Sequence, residues 1–296
     1  MVVTSVFGVP HVYDFTPNLF SPTITPHRSV LVCIHGWLLS RVYWHPLMQQ
    51  LTPDIDCLAY DLRGFGDSTQ HLSKRSNRLD MAPYGLAAYA HDLNALLESL
   101  ELENVWLIGH SLGGSIALWA AHLFPDRVRG VICVNAGGGI YIRNAFETFR
   151  SAGQQMVGWR PKWLKNFPLL PWVFANIMVQ QTLSYQWGQQ RLIDFLQADP
   201  EAATQSLLAS TTEKEVHQLP QIVAQLSQPV YFITGEEDKV MEPKYVEHLA
   251  SFHQFFHQGK QAVVAFKHCG HFAMLEQTMA LENQVRQWLL TDNKPD

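Results

Sequence analysis

The stretch Gly109-His110-Ser111-Leu112-Gly113-Gly114 limits what this chain can fold into more than any other part of it. An apolar run, Val105-Trp106-Leu107-Ile108, precedes it, and a helical pattern, Ser115-Ile116-Ala117-Leu118-Trp119-Ala120-Ala121, follows. A buried strand is therefore expected to turn sharply into a helix at Ser111. The glycines at 109 and 113 have a physical reason: such a turn strains the serine backbone, and bulk on either side would strike the neighbouring strand or helix. The turn leaves a hydroxyl exposed at a helix N-terminus. There the Leu112 N–H points at any charge that develops beside it, and the helix dipole favours an anion. Ser111 is thus a candidate nucleophile and Leu112 a candidate oxyanion donor. The competing reading of so short a pattern is an ordinary glycine-rich turn, and context has to decide between them.

That context comes from the far end of the chain. Val230-Tyr231-Phe232-Ile233-Thr234 reads as a buried strand, with the acidic loop Gly235-Glu236-Glu237-Asp238 after it. Ala262-Val263-Val264-Ala265-Phe266 reads as another strand, followed by Lys267-His268-Cys269-Gly270-His271-Phe272. The order is serine, acid, histidine, each just beyond the C-terminal end of a strand, and in this the chain resembles the α/β-hydrolase fold family. Ile34-His35-Gly36-Trp37 after the strand Val30-Leu31-Val32-Cys33 looks like the family's His-Gly-x loop, and Tyr60 to Ser68 looks like its D-x-R-G-x-G-x-S turn. The resemblance implies an α/β fold with a mostly parallel central sheet and helices on both faces. It implies a catalytic Ser111, Asp238 and His271, and Trp37 as the second backbone oxyanion donor. The family's G-x-x-D spacing from Gly235 selects Asp238 over Glu236 and Glu237. His268 is the nearby rival of His271 among 14 histidines. His35 and His110 are expected to brace the loops around the site and to be candidate substrate-binding residues; Asp61, Arg63 and Asp67 are expected to form a structural turn network.

Other strands are expected at Asp56 to Tyr60 and Val131 to Val134, with weak edge strands near Thr4 to Phe7 and His11 to Phe15. Helices are expected over Leu86 to Leu100, Ser111 to Phe124, Tyr245 to Phe256 and Met274 to Leu290. Residues 1–138 and 213–296 are taken as the core. Residues 139–212 carry no family signature; they hold short, proline-broken helical patterns rich in tryptophan, phenylalanine and leucine, broken by Pro161, Pro168 and Pro171. In the resembled family such an insertion is a helical cap. Its apolar residues pack the cap onto the core, line an apolar substrate cavity, with Trp163 and Trp172 as candidates, or face outward as a membrane-interface contact.

The chain has 296 residues, 47% of them hydrophobic, so one large domain with an insertion accommodates it. A formal net charge of -5 without a basic stripe argues against nucleic-acid binding. Cys33, Cys57, Cys133 and Cys269 lack zinc spacing and read as buried, reduced thiols, so no metal and no cofactor is implied. The first residues have no basic region or long apolar stretch, and a cytoplasmic protein is expected. The expected activity is hydrolysis of a carboxylic ester or related acyl bond of a small apolar molecule. The same three residues also suit a C–C bond hydrolase, a thioesterase, a cofactor-free haloperoxidase, a lyase or a slow-turnover ligand receptor. Nothing in the sequence specifies an oligomeric state.

Overall fold

Strands buried on both faces read as near-continuous apolar runs, and the centre of this molecule is built from such runs. In the computed structural model, which describes residues 1–17, 30–52, 54–69, 83–138, 143–259 and 261–292, they join into one eight-stranded sheet. The strands are β1 (Val2–Val6), β2 (Val9–Thr16), β3 (Val30–Ile34), β4 (Asp56–Tyr60), β5 (Val105–His110), β6 (Val128–Val134), β7 (Val230–Gly235) and β8 (Val263–Phe266). Every residue of β3, β4 and β5 is buried. The sheet runs β1-β2-β4-β3-β5-β6-β7-β8, antiparallel through β1, β2 and β4 and parallel from β4 onward.

After β3 the chain steps outward to β4, then returns to the other side of β3 to lay down β5 and continues in that direction. The connections leaving the C-terminal ends of β3 and β5 therefore run apart, and a crevice opens between them, the place where open α/β sheets bind their ligands. Two apolar layers cover the sheet. One contains Val32, Leu107, Ile116, Leu93 and Phe232; the other contains Trp44, Trp106, Ile108, Phe266 and Trp288.

The helices match their sequence patterns with two differences. The pattern over Tyr245 to Phe256 divides into Pro243–Ala250 and Gln254–His257, because His253 caps the second piece by accepting the Phe255 N–H. The pattern from Met274 divides into Ala273–Glu276 and Thr278–Asp292. Its first turn is drawn toward the β8 loop by the Glu276 carboxylate, which accepts the N–H groups of Gly270 and Phe272.

Between β6 and β7 lie the helices Arg143–Gly158, Leu170–Asn176, Tyr185–Gln197 and Pro200–Ser210, with a 3₁₀ turn at Lys162–Asn166. The expected start of the insertion at Gly139 lies outside the described residues. Hydrogen bonds tie these helices to the loops below: Trp37 Nε1 donates to the Ala203 carbonyl at 2.8 Å, Asp199 N to the Gly64 carbonyl at 2.9 Å, and Ser40 Oγ to Asp194 Oδ2 at 2.9 Å. The helix Glu213–Gln225 packs instead on the helix Leu112–Leu123 that follows β5.

The turn after β4 has the network expected of it. Asp61 is buried and accepts from the Arg41 guanidinium and from the backbone N–H groups of Arg41 and Asp67, while Arg63 pairs with buried Asp92 at 2.9 Å.

Candidate active site

Ser111 sits between β5 and the helix Leu112–Leu123 with φ 51° and ψ −118°, a conformation that costs a non-glycine residue energy and recurs where function requires it. Two glycines let the strand and helix close around it. A Cβ on Gly109 would lie 2.2 Å from the Gly113 carbonyl oxygen, and one on Gly113 would lie 2.3 Å from that of Ile34. The elbow is thus wedged against the end of β3, which brings the loop His35-Gly36-Trp37 beside it.

Asp238 and His271 come together from the ends of β7 and β8. His271 Nδ1 donates to Asp238 Oδ2 at 2.8 Å, and both residues are buried. The acceptor is a carboxylate, so the bond places the proton on Nδ1 and leaves Nε2 as the basic nitrogen. Four donors converge on Asp238. Besides His271, Asn135 Nδ2 reaches Oδ2 at 2.9 Å, and the N–H groups of Val240 and Met241 reach Oδ1 at 2.8 and 2.9 Å. Burial pushes this carboxyl up, but the charge and hydrogen bond of His271 and the two backbone N–H groups outweigh it and hold the group below its ordinary range. Glu236 is exposed. Glu237 lies 3.7 Å from His268 Nδ1, and that imidazole is turned to solvent.

Asn135 carries no signal in the sequence beyond its place after a strand. It is fully buried with φ 49°, and its amide also donates to the Gly270 carbonyl at 3.1 Å, so one side chain fixes both the acid and the loop that carries His271.

Ser111 and His271 line one cavity of about 140 Å³, together with Trp37, Leu112 and His110. Its remaining wall is mostly apolar: Leu39, Ala136, Met178, Leu207, Val240, Met241 and Phe272. His110 donates from Nε2 to the His271 carbonyl at 2.7 Å. Burial, reinforced by the neighbouring His271, lowers its pKa to about 3 and keeps it neutral. His35 lies below the cavity wall: Nδ1 donates to the Gly36 carbonyl at 2.8 Å, Nε2 accepts the Leu62 N–H at 2.9 Å, and burial lowers its pKa to about 4. Both histidines brace backbone. Trp163 and Trp172 lie elsewhere, 53% and 52% exposed on the outer surface, and the insertion reaches the cavity through Met178, Leu207, Ser210 and Thr211 instead.

Residues 29–278 match the family model described as the alpha/beta hydrolase fold. The chain belongs to the α/β-hydrolase family. An uncharacterised protein of Mycobacterium tuberculosis is 30% identical over 74% of this chain, and the match spans 64% of that relative's length. The pimeloyl-[acyl-carrier protein] methyl ester esterase of Pseudoalteromonas atlantica is 25% identical over 83% of this chain and 89% of its own. Among solved structures, a thermophilic esterase from Thermogutta terrifontis superimposes with a TM-score of 0.74 at 21% identity, covering 99% of this chain and 100% of that one.

Proposed function

We propose that the chain is a serine hydrolase that cleaves a carboxylic ester of a small apolar molecule through an acyl-enzyme. The observation that carries the reading is the strained Ser111 facing one cavity with His271, whose imidazole is oriented by Asp238 at 2.8 Å. His271 Nε2 takes the Ser111 proton as the hydroxyl attacks the acyl carbon, then returns it to the departing alkoxide. Asp238 holds the tautomer and stabilises the imidazolium. The N–H groups of Trp37 and Leu112 receive the oxyanion, each such donor being worth about 3 kcal/mol. Water then repeats the sequence on the acyl-enzyme. Residues 139–212 act as a cap over the core formed by 1–138 and 213–296. The four buried free thiols support a reducing, cytoplasmic setting.

A short, largely apolar cavity predicts graded acyl selectivity. With p-nitrophenyl esters, kcat/KM is expected to rise from acetate by up to about fourfold per methylene, the equivalent of about 0.8 kcal/mol, and to level off once the cavity is full. Leu207→Ala should move that plateau to a longer chain. A single stoichiometric burst without turnover on every ester would favour the receptor reading, and a flat chain-length profile would remove the apolar cavity from the account.

A further inference from the structure

The helix Leu170–Asn176 is amphipathic in the wrong sense for a surface helix. Its inward positions Pro171 and Ala175 are small and buried, and Phe174 packs tilted against Phe195 with ring centroids 5.6 Å apart, whereas its outward positions with their flanks are Leu169, Trp172, Val173 and Ile177, from 38% to 67% exposed. The neighbouring turn continues the surface: Trp159 is 67% exposed and packs edge-on against Trp163, which packs on exposed Phe167. Monomeric surfaces rarely carry so many large apolar side chains together. Residues 151–193 contain no aspartate or glutamate, although the whole chain has a net charge of -5, and exposed Lys165 lies between Trp163 and Phe167 along the 3₁₀ turn.

The end of this face reaches the candidate active site. Met178 is 44% exposed, yet it also lines the cavity, and its carbonyl accepts the His271 N–H at 2.8 Å. Gly270 allows that approach, since a Cβ there would come within 2.8 Å of Gln180 N and Val179 Cα.

We propose that this face docks on an anionic phospholipid surface, with the mouth of the cavity at Met178 turned toward the lipid. Tryptophan suits the interfacial layer, where its ring is buried and its N–H stays hydrated. The absence of carboxylates from the segment and the lysine between Trp163 and Phe167 complement negatively charged headgroups. The docking stands without the ester chemistry. The further step, that an ester enters from the lipid past Met178, rests on the proposed function.

The test is co-sedimentation with phosphatidylcholine vesicles, with and without about a quarter phosphatidylglycerol, which reads binding independently of activity. The wild-type protein should sediment with the anionic vesicles and much less with the neutral ones. The variant Trp159→Ser/Leu169→Ser/Val173→Ser should lose at least about tenfold in partition coefficient, with a far-ultraviolet dichroism spectrum and a cooperative unfolding transition like those of the wild type showing that it is folded. Should that variant not fold, Lys165→Glu leaves every ring in place and should weaken anionic binding several-fold. No binding to either vesicle, or binding equal in wild type and variants, would overturn the proposal. So would concentration-dependent self-association that the substitutions abolish in the absence of vesicle binding, since the face would then belong to a second copy of the chain.

Discussion

Glu236, Glu237 and Asp238 are consecutive carboxylates that differ in what surrounds them. Asp238 is 2% exposed and accepts four donors, His271 among them, while its neighbours face solvent or the exposed His268. The carboxylate bonded to Nδ1 both holds the imidazole in the tautomer that leaves Nε2 basic and stabilises its charged form, and neither glutamate is placed to do this. Asp238→Asn is therefore expected to lower kcat by about 10⁴, with Glu236→Gln and Glu237→Gln close to wild type. A larger loss in Glu237→Gln would move the acid to that residue. Asp238 and His271 were legible in the sequence because each follows a strand in a loop with a recognisable spacing. Asn135 was not, because its role exists only once β6 lies beside β7 and its amide spans the space between Asp238 and Gly270.

The helix Tyr185–Gln197 is held to the loop after β3 by a buried carboxyl. Asp194 accepts Ser40 Oγ at 2.9 Å and Gln190 Nε2 at 3.0 Å, and burial, opposed by the Ser40 bond and aided by the charge of Asp61, raises its pKa to about 7. An acid with a raised native pKa binds more protons folded than unfolded. The stability it contributes is complete below the unfolded value and is lost as pH rises toward about 7. Asp194→Asn should consequently gain stability relative to wild type on going from about pH 5 to about pH 8, by up to about 1.4 kcal/mol per pH unit within that window. Denaturant unfolding of both proteins at the two pH values measures it. A difference independent of pH would mean that Asp194 is ionised throughout. The insertion was the least legible element. Its prolines and aromatic residues predicted short helices; Leu170–Asn176 is one, but Arg143–Gly158 and Tyr185–Gln197 run to 16 and 13 residues, and periodicity cannot say which face of such a helix meets the core. Thus Trp163 and Trp172 lie outside, while Leu207 and Thr211 reach the cavity through long-range packing.

At the scale of the whole molecule, the sheet order places the ends of β3, β5, β7 and β8 around one cavity, and each end carries one part of the proposed chemistry. β5 ends in the strained Ser111, β3 in the loop that carries the Trp37 N–H, β7 in the loop of Asp238 and β8 in that of His271. This convergence was legible because apolar runs marked the strands and each chemical residue follows a run directly, although nothing local in those runs says that β3 and β5 are neighbours. The claim on which the rest depends is that Ser111 is the nucleophile. Labelling the intact protein with a fluorophosphonate and mapping the modified peptide tests it most directly, with the Ser111→Ala protein treated in parallel. One adduct per chain on the peptide containing Ser111, absent from the Ser111→Ala protein, is the expected result. An adduct on another residue, or equal labelling of the two proteins, would contradict the account.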